Sequence, residues 1–332
     1  MAKKKMSLLE RSMHFTFAHL QAKGKVAVPD PATPIQIDPD ALLTMVCWGD
    51  PQISSFSPLR TARFSAACAD IGNMDGTLDA IVFAGDLCEF GASREFRMLH
   101  TALRGIGSHC AHYIAVPGNH DIRLRHYHKQ QRKFFRFLAD LPGGVAPEDR
   151  LNYYHKTEIN GFTFLMLGSD RSSFEASYLS DAQLQRLDAD LTAAELTGKP
   201  IFVINHQTLK RMNGLPVTWL GKGDWRGSVG NESDKLRAIF EKHRGVVFIT
   251  GHLHYGVSKY NYEDHGAFKA LSLPTVGVVN HGAFDKFSQG YVVTVYPDRM
   301  VFRARLFGEG RYVDPAVENA EIVWEYPAEL QA

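Results

Sequence analysis

Five short stretches of this sequence set donor side chains directly after apolar runs. They are Gly49-Asp50-Pro51-Gln52, Gly85-Asp86, Gly118-Asn119-His120-Asp121, Asn205-His206-Gln207 and Gly251-His252-Leu253-His254. Carboxylates and imidazoles suit Mn, Fe or Zn, and an aspartate can bridge two ions with its two oxygens. Any one stretch has an ordinary alternative: a lone Gly-Asp is a turn, and Asn-His fits a polar loop. All five in order, each at the end of an apolar run, point to one pocket built for a pair of metal ions. At Asn119, His120 and Asp121, three groups able to bind metal or move protons crowd onto a single turn.

The apolar runs read as strands. LLTMVCW precedes Asp50, LDAIVFAG contains the Gly before Asp86, HYIAVPG precedes Asn119, KPIFVIN precedes His206 and GVVFITG precedes His252. Amphipathic stretches alternate with them: SPLRTARFSAACADIG, SREFRMLHTALRGIG, HKQQRKFFRFLADL, SDAQLQRLDADLTAAEL and SDKLRAIFEKHRG. Strand and helix patterns in alternation predict an α/β sheet with helices on its faces. In such folds the carboxyl ends of the strands converge on one edge, where ligands bind. Ser180 is a candidate N-cap, with Gln183 three residues on. Toward the end, QGYVVTVYPDRMVFRARLF reads as a hairpin turning at Pro297-Asp298, so the architecture is mixed and not purely doubly wound.

The chain has 332 residues, formal net charge +1, 45% apolar residues and 22% charged ones. That suits a soluble globular protein with a large core and gives no sign of a general nucleic-acid or anionic-membrane binder. Cys47, Cys68, Cys88 and Cys110 form no C-x-x-C pair and read as buried free thiols in a reducing compartment, so a cytoplasmic location is expected. No stretch approaches the ~18 apolar residues of a membrane span. Residues 1–40 read as an N-terminal arm and 41–332 as a single domain. A long Gly-rich segment at about 208–231 carries two tryptophans and reads either as a self-packed surface excursion or as a substrate loop.

Taken together, the motifs between residues 50 and 254 resemble the calcineurin-like metallophosphoesterase superfamily, as a bacterial-type member with Gln52 where the first motif usually has His. The resemblance implies a four-layer α/β/β/α sandwich of two mixed sheets. It implies one metal held by Asp50, position 52, Asp86 and His254, and a second held by Asp86, Asn119, His206 and His252, with Asp86 bridging. It implies hydrolysis of a small phosphorylated substrate by a metal-activated hydroxide, with His120 as general acid and Asp121 orienting it.

Gln52 leaves three readings open. It ligates through its amide oxygen, it holds a ligating water, or the first site is weak and activity is lowered or lost. The last of these would make the chain a metal-binding scaffold or regulatory protein. Phosphomonoesters and phosphodiesters both remain open as substrates. Arg123, Trp219, Trp225 and Arg226 are the candidate substrate contacts; solvated or loop-stabilising roles are the alternative for each.

Overall fold

The computed structural model describes residues 6–124, 126–147, 153–282, 286–327 and 330. Within the stretch read as an arm lies a helix, α1 (Leu8–Ala22). It starts at a reciprocal cap: Ser7 Oγ accepts from the Glu10 N–H, and the Glu10 carboxylate accepts from the Ser7 N–H. The first half continues with β1 (Leu43–Trp48), α2 (Pro58–Gly72), β2 (Leu78–Phe83), α3 (Ser93–Leu103), β3 (Cys110–Ala115), the single turn α4 (Asn119–Ile122) and α5 (Tyr127–Ala139). The second half runs β4 (His155–Ile159), β5 (Phe162–Met166), α6 (Asp181–Glu195), β6 (Ile201–Ile204), α7 (Ser233–Phe240) and β7 (Val246–Thr250). It closes with β8 (Tyr262–Asp264), β9 (Phe268–Ser272), β10 (Gln289–Val295), β11 (Arg299–Leu306), β12 (Arg311–Tyr312) and β13 (Glu321–Glu325).

Two sheets result. The first has the order β12-β11-β10-β1-β2-β3, with β13 also paired to β11. Its β1, β2 and β3 are parallel, joined by helical crossovers, while β10 returns antiparallel to β1 with Leu43 opposite Val295. The hairpin expected at Pro297-Asp298 is the β10–β11 pair, with Val295 opposite Met300. The second sheet has the order β4-β5-β6-β7-β9-β8, parallel from β5 to β9 and antiparallel at both edges. Both sheets are therefore mixed.

Alternation along each strand sets the layers. Met45, Cys47, Ala80, Val82 and Ile114 on the first sheet meet Phe164, Phe202, Ile204, Val247 and Ile249 on the second in a shared core. The opposite face of β1 and β2 sends Val46, Trp48, Ile81 and Phe83 against α2, α3 and α5. The outer face of the second sheet packs Leu165, Val203 and Phe248 against α6 and α7. The order is helix, sheet, sheet, helix: the four-layer sandwich expected from the sequence.

Candidate metal centre

Strands β1, β2 and β3 of one sheet and β6 and β7 of the other end at the same edge, and each loop that follows turns a donor inward. Two groups of ligand atoms come together there. Asp86, His206 and His252 form one; Asp50, Asp86 and His254 form the other, and Asp86 belongs to both. His206 Nε2 is 3.3 Å from Asp86 Oδ2 and 3.1 Å from Asn119 Oδ1, while His252 Nδ1 is 3.2 Å from His206 Nε2. On the other side, His254 Nε2 is 3.1 Å from Asp50 Oδ1. Gln52 lies beside the second group with its amide nitrogen 3.4 Å from Asp86 Oδ2. A half-turn of that amide would present its oxygen to the same spot.

The residues fit a pair of cations on three counts. First, Asp50, Gln52, Asp86, Asn119, His206 and His252 are each no more than 3% exposed. Buried carboxylates and imidazoles at this density need a countercharge. Secondly, the second-ring partners set the tautomers. His206 Nδ1–H donates to the Ala84 carbonyl at 2.7 Å, which turns the Nε2 lone pair inward. His252 Nε2–H donates to the Arg226 carbonyl at 3.1 Å, which frees Nδ1. Thirdly, Asp50, Gln52, Asp86, His252 and His254 all have positive φ, between 39° and 71°. Left-handed backbone costs a non-glycine residue about 1 kcal/mol or more, and such strain gathers at functional sites.

The motif glycines make room for this arrangement. A Cβ on Gly118 would sit 2.1 Å from Asp86 Oδ1, and one on Gly85 would sit 2.5 Å from His206 Nδ1. Electrostatics follows the same geometry. Burial works against a charged His206, but the Asp86 charge and hydrogen bond and the Asp50 charge outweigh it and raise its pKa to about 9. His252 moves the other way, held well below its usual value by burial and by His206. A neutral imidazole is the form that ligates.

His120 lies at the mouth of the site, with Nε2 3.9 Å from Asp86 Oδ2 and its backbone N–H donating to Asp86 Oδ1 at 2.8 Å. Its orienting partner differs from the expected one. Asp121 does not reach the imidazole; its carboxylate accepts from the Leu87, Cys88 and Gly118 N–H groups at 2.9–3.1 Å and pins the β2 and β3 loops together. Burial and the nearby Asp86 charge push its pKa up. The imidazole is held by Glu89, whose carboxylate is 3.3 Å and whose carbonyl is 3.0 Å from Nδ1. Arg60 in turn pairs with Glu89. Glu89 stands three residues after Asp86 in the same loop, which was the available signal.

Of the expected substrate contacts, Arg123 stands beside the site: its Nη2 is 3.0 Å from His120 Nδ1, and its guanidinium covers the exposed ring of Phe174 at 4.8 Å. Arg125, which follows the same turn as Arg123 and reads in sequence as a candidate phosphate contact like it, lies outside the described residues. Trp219 stacks on the His252 ring, centroids 4.5 Å apart, and so buttresses a candidate ligand. Trp225 is 47% exposed and donates Nε1–H to Asn231 Oδ1 at 2.9 Å. Arg226 meets the centre through its carbonyl, and its side chain is exposed. Asn205 ties its own loop, donating to the Gln207 carbonyl at 2.7 Å.

The family model described as calcineurin-like phosphoesterase matches residues 49–256. The fold is similar to that of a dimetal phosphatase from Danio rerio, with a TM-score of 0.57 at 15% identity over 87% of this chain and 100% of that one. It is also similar to a purple acid phosphatase from yellow lupin (Lupinus luteus) seeds, with a TM-score of 0.58 at 11% identity over 87% of this chain. This chain spans 55% of the lupin protein's length. No curated protein matches the sequence.

Proposed function

The chain belongs to the calcineurin-like phosphoesterase family, and from that premise we propose that it hydrolyses phosphate esters of small molecules with His120 as the general acid. The observation that carries this reading is the sharing of Asp86 by two ligand groups with a basic imidazole beside them. Two divalent ions held there would supply Lewis-acid charge to the phosphoryl group and lower the pKa of water.

The chain's own residues account for the rest. Asp50, Gln52 and His254 would complete one group around Asp86, and Asn119, His206 and His252 the other. Burial lowers the pKa of His120, while the Asp86 charge and the Glu89 hydrogen bond raise it; the Glu89 contact is the one that persists with cations on Asp86, and it helps His120 keep its proton. Its Nε2 faces the ligands while Nδ1 is anchored on Glu89, so the proton is held toward the leaving oxygen of a bound ester. Arg123 borders the Nδ1 edge of His120 and pairs with Glu175 at 3.8 Å, so its charge lies beside the mouth of the site. The four unpaired cysteines support a reducing compartment, the cytoplasm.

A second reading, a metal-binding scaffold with little turnover, draws on Gln52, whose neutral amide is a weaker donor than imidazole. The His120–Glu89–Arg60 chain favours the enzyme, since a scaffold has no use for a proton donor beside the ions. Substituting His120→Ala tests the choice. Metal content should be unchanged, while hydrolysis slows by about 10²-fold or more, most for esters with poor leaving groups. Equal rates for both proteins would remove His120 from the chemistry.

A further inference from the structure

A cavity of about 670 Å³ lies between α1, α3 and α5, apart from every candidate metal ligand. We propose that it binds a single-chain anionic amphiphile: an alkyl tail ending in a phosphate, sulfate or carboxylate head. Its size falls within the range of small-molecule sites.

Its lining is divided by polarity. Met6 and Leu9 from α1 and its cap face Phe96 and Phe137, and these make the apolar part. The two rings pack on each other at 5.1 Å and are 5% and 8% exposed, so neither offers an open face to a nucleotide base. An alkyl chain needs only apolar contact and suits them better.

The rest of the lining is polar with a cationic excess, Glu10 and Asp140 being its carboxylates. Helix α5 carries Lys129, Arg132, Lys133 and Arg136 and no carboxylate. Lys133 and Arg136 line the cavity with Arg97 and Arg104. Of the nearby carboxylates, Asp140 at the end of α5 lines the cavity and offsets one of these charges, while two others are already engaged. Glu95 is fully buried and accepts from the Ser55, Phe90 and Ala92 N–H groups, and Glu10 is taken by Ser7 and Arg104. Among the described residues, the exposed guanidiniums of Arg97 and Arg136 have no side-chain partner. In a protein of net charge +1, such a local excess beside an apolar cavity matches an anionic head on an apolar tail.

Titration calorimetry on the full, metal-loaded protein tests this with decyl sulfate below its micellar concentration, which carries the charge but is a poor metal ligand. One molecule should bind per chain, at least tenfold more tightly than inorganic sulfate or decyltrimethylammonium. The R97A/R136A pair should weaken it at least tenfold, with melting temperature and nitrophenyl phosphate hydrolysis unchanged. The charge-conserving R97K/R136K pair should retain binding. Equal binding by the cationic amphiphile or by inorganic sulfate, an affinity unchanged in R97A/R136A, or the absence of saturable binding would each overturn the proposal.

Discussion

His120 Nδ1 lies 3.3 Å from the Glu89 carboxylate, while the carboxylate of Asp121, its neighbour in sequence, faces three backbone N–H groups. Both residues sit on the single helical turn α4, where consecutive side chains point about 100° apart. They cannot share one task. The turn therefore divides its work, with Asn119 toward the ligands, His120 toward the mouth and Asp121 into the loops beneath.

The Glu89 contact predicts a pH effect. A general acid must carry its proton, so activity on poor leaving groups should fall as pH rises through the His120 pKa, which the Glu89 hydrogen bond and charge raise. Glu89→Gln keeps a polar contact but removes a negative charge that raises this pKa. The falling limb should move to lower pH, and turnover of phenyl phosphate at pH 8 should drop about tenfold. Superimposable pH–rate profiles would show that Glu89 does not act through His120.

Asp86 is the residue both ligand groups share. Asp86→Ala should reduce metal content, measured by plasma mass spectrometry, from two ions per chain to nearly none. Loss of one ion alone would mean that the carboxylate does not bridge.

Gln52 has left-handed backbone and lies 2% exposed beside Asp86, the position of a ligand with the side chain of a weak one. Gln52→His should raise the affinity of the Asp50–His254 group for Mn or Zn about tenfold in competition with a chelator. An unchanged affinity would place position 52 outside the coordination sphere.

His155, which belongs to neither ligand group, predicts a stability effect. It is 7% exposed, and burial lowers its pKa to about 4, against a hydrogen bond to the Tyr153 carbonyl. The unfolded chain takes up this proton near pH 6.5, before the folded protein can. Stability is thus intact above pH 6.5 and is lost as pH falls toward 4. Wild type should lose on the order of 3 kcal/mol more over that range than His155→Phe, measured by denaturant unfolding. Parallel losses in both proteins would assign the acid sensitivity elsewhere.

The candidate ligand edge was legible because four of the five buried strands run into glycine followed by a donor, and β6 runs into Asn205-His206. The apolar runs marked where β1, β2, β3, β6 and β7 stop, and strand ends in α/β folds converge. Other features were less visible. Residues 1–40 read as an arm from their Pro- and Asp-rich end, while the cap that starts α1, Ser7 with Glu10 three residues on, went unread. Trp219 reads in sequence as a substrate contact or a loop-stabilising aromatic; only the fold of the loop sets it against His252. The family resemblance implied Asp121 as the partner of His120, whereas the actual contact crosses from one strand-end loop to the next.

The central claim is a working two-ion centre, and the direct measurement is metal content per purified chain with hydrolysis of p-nitrophenyl phosphate and bis-p-nitrophenyl phosphate in added Mn. Two ions per chain and clear turnover of at least one ester are the predicted result. One ion or none, with no turnover in excess Mn, would contradict it and leave a metal-binding scaffold in which Gln52 has disabled the first group.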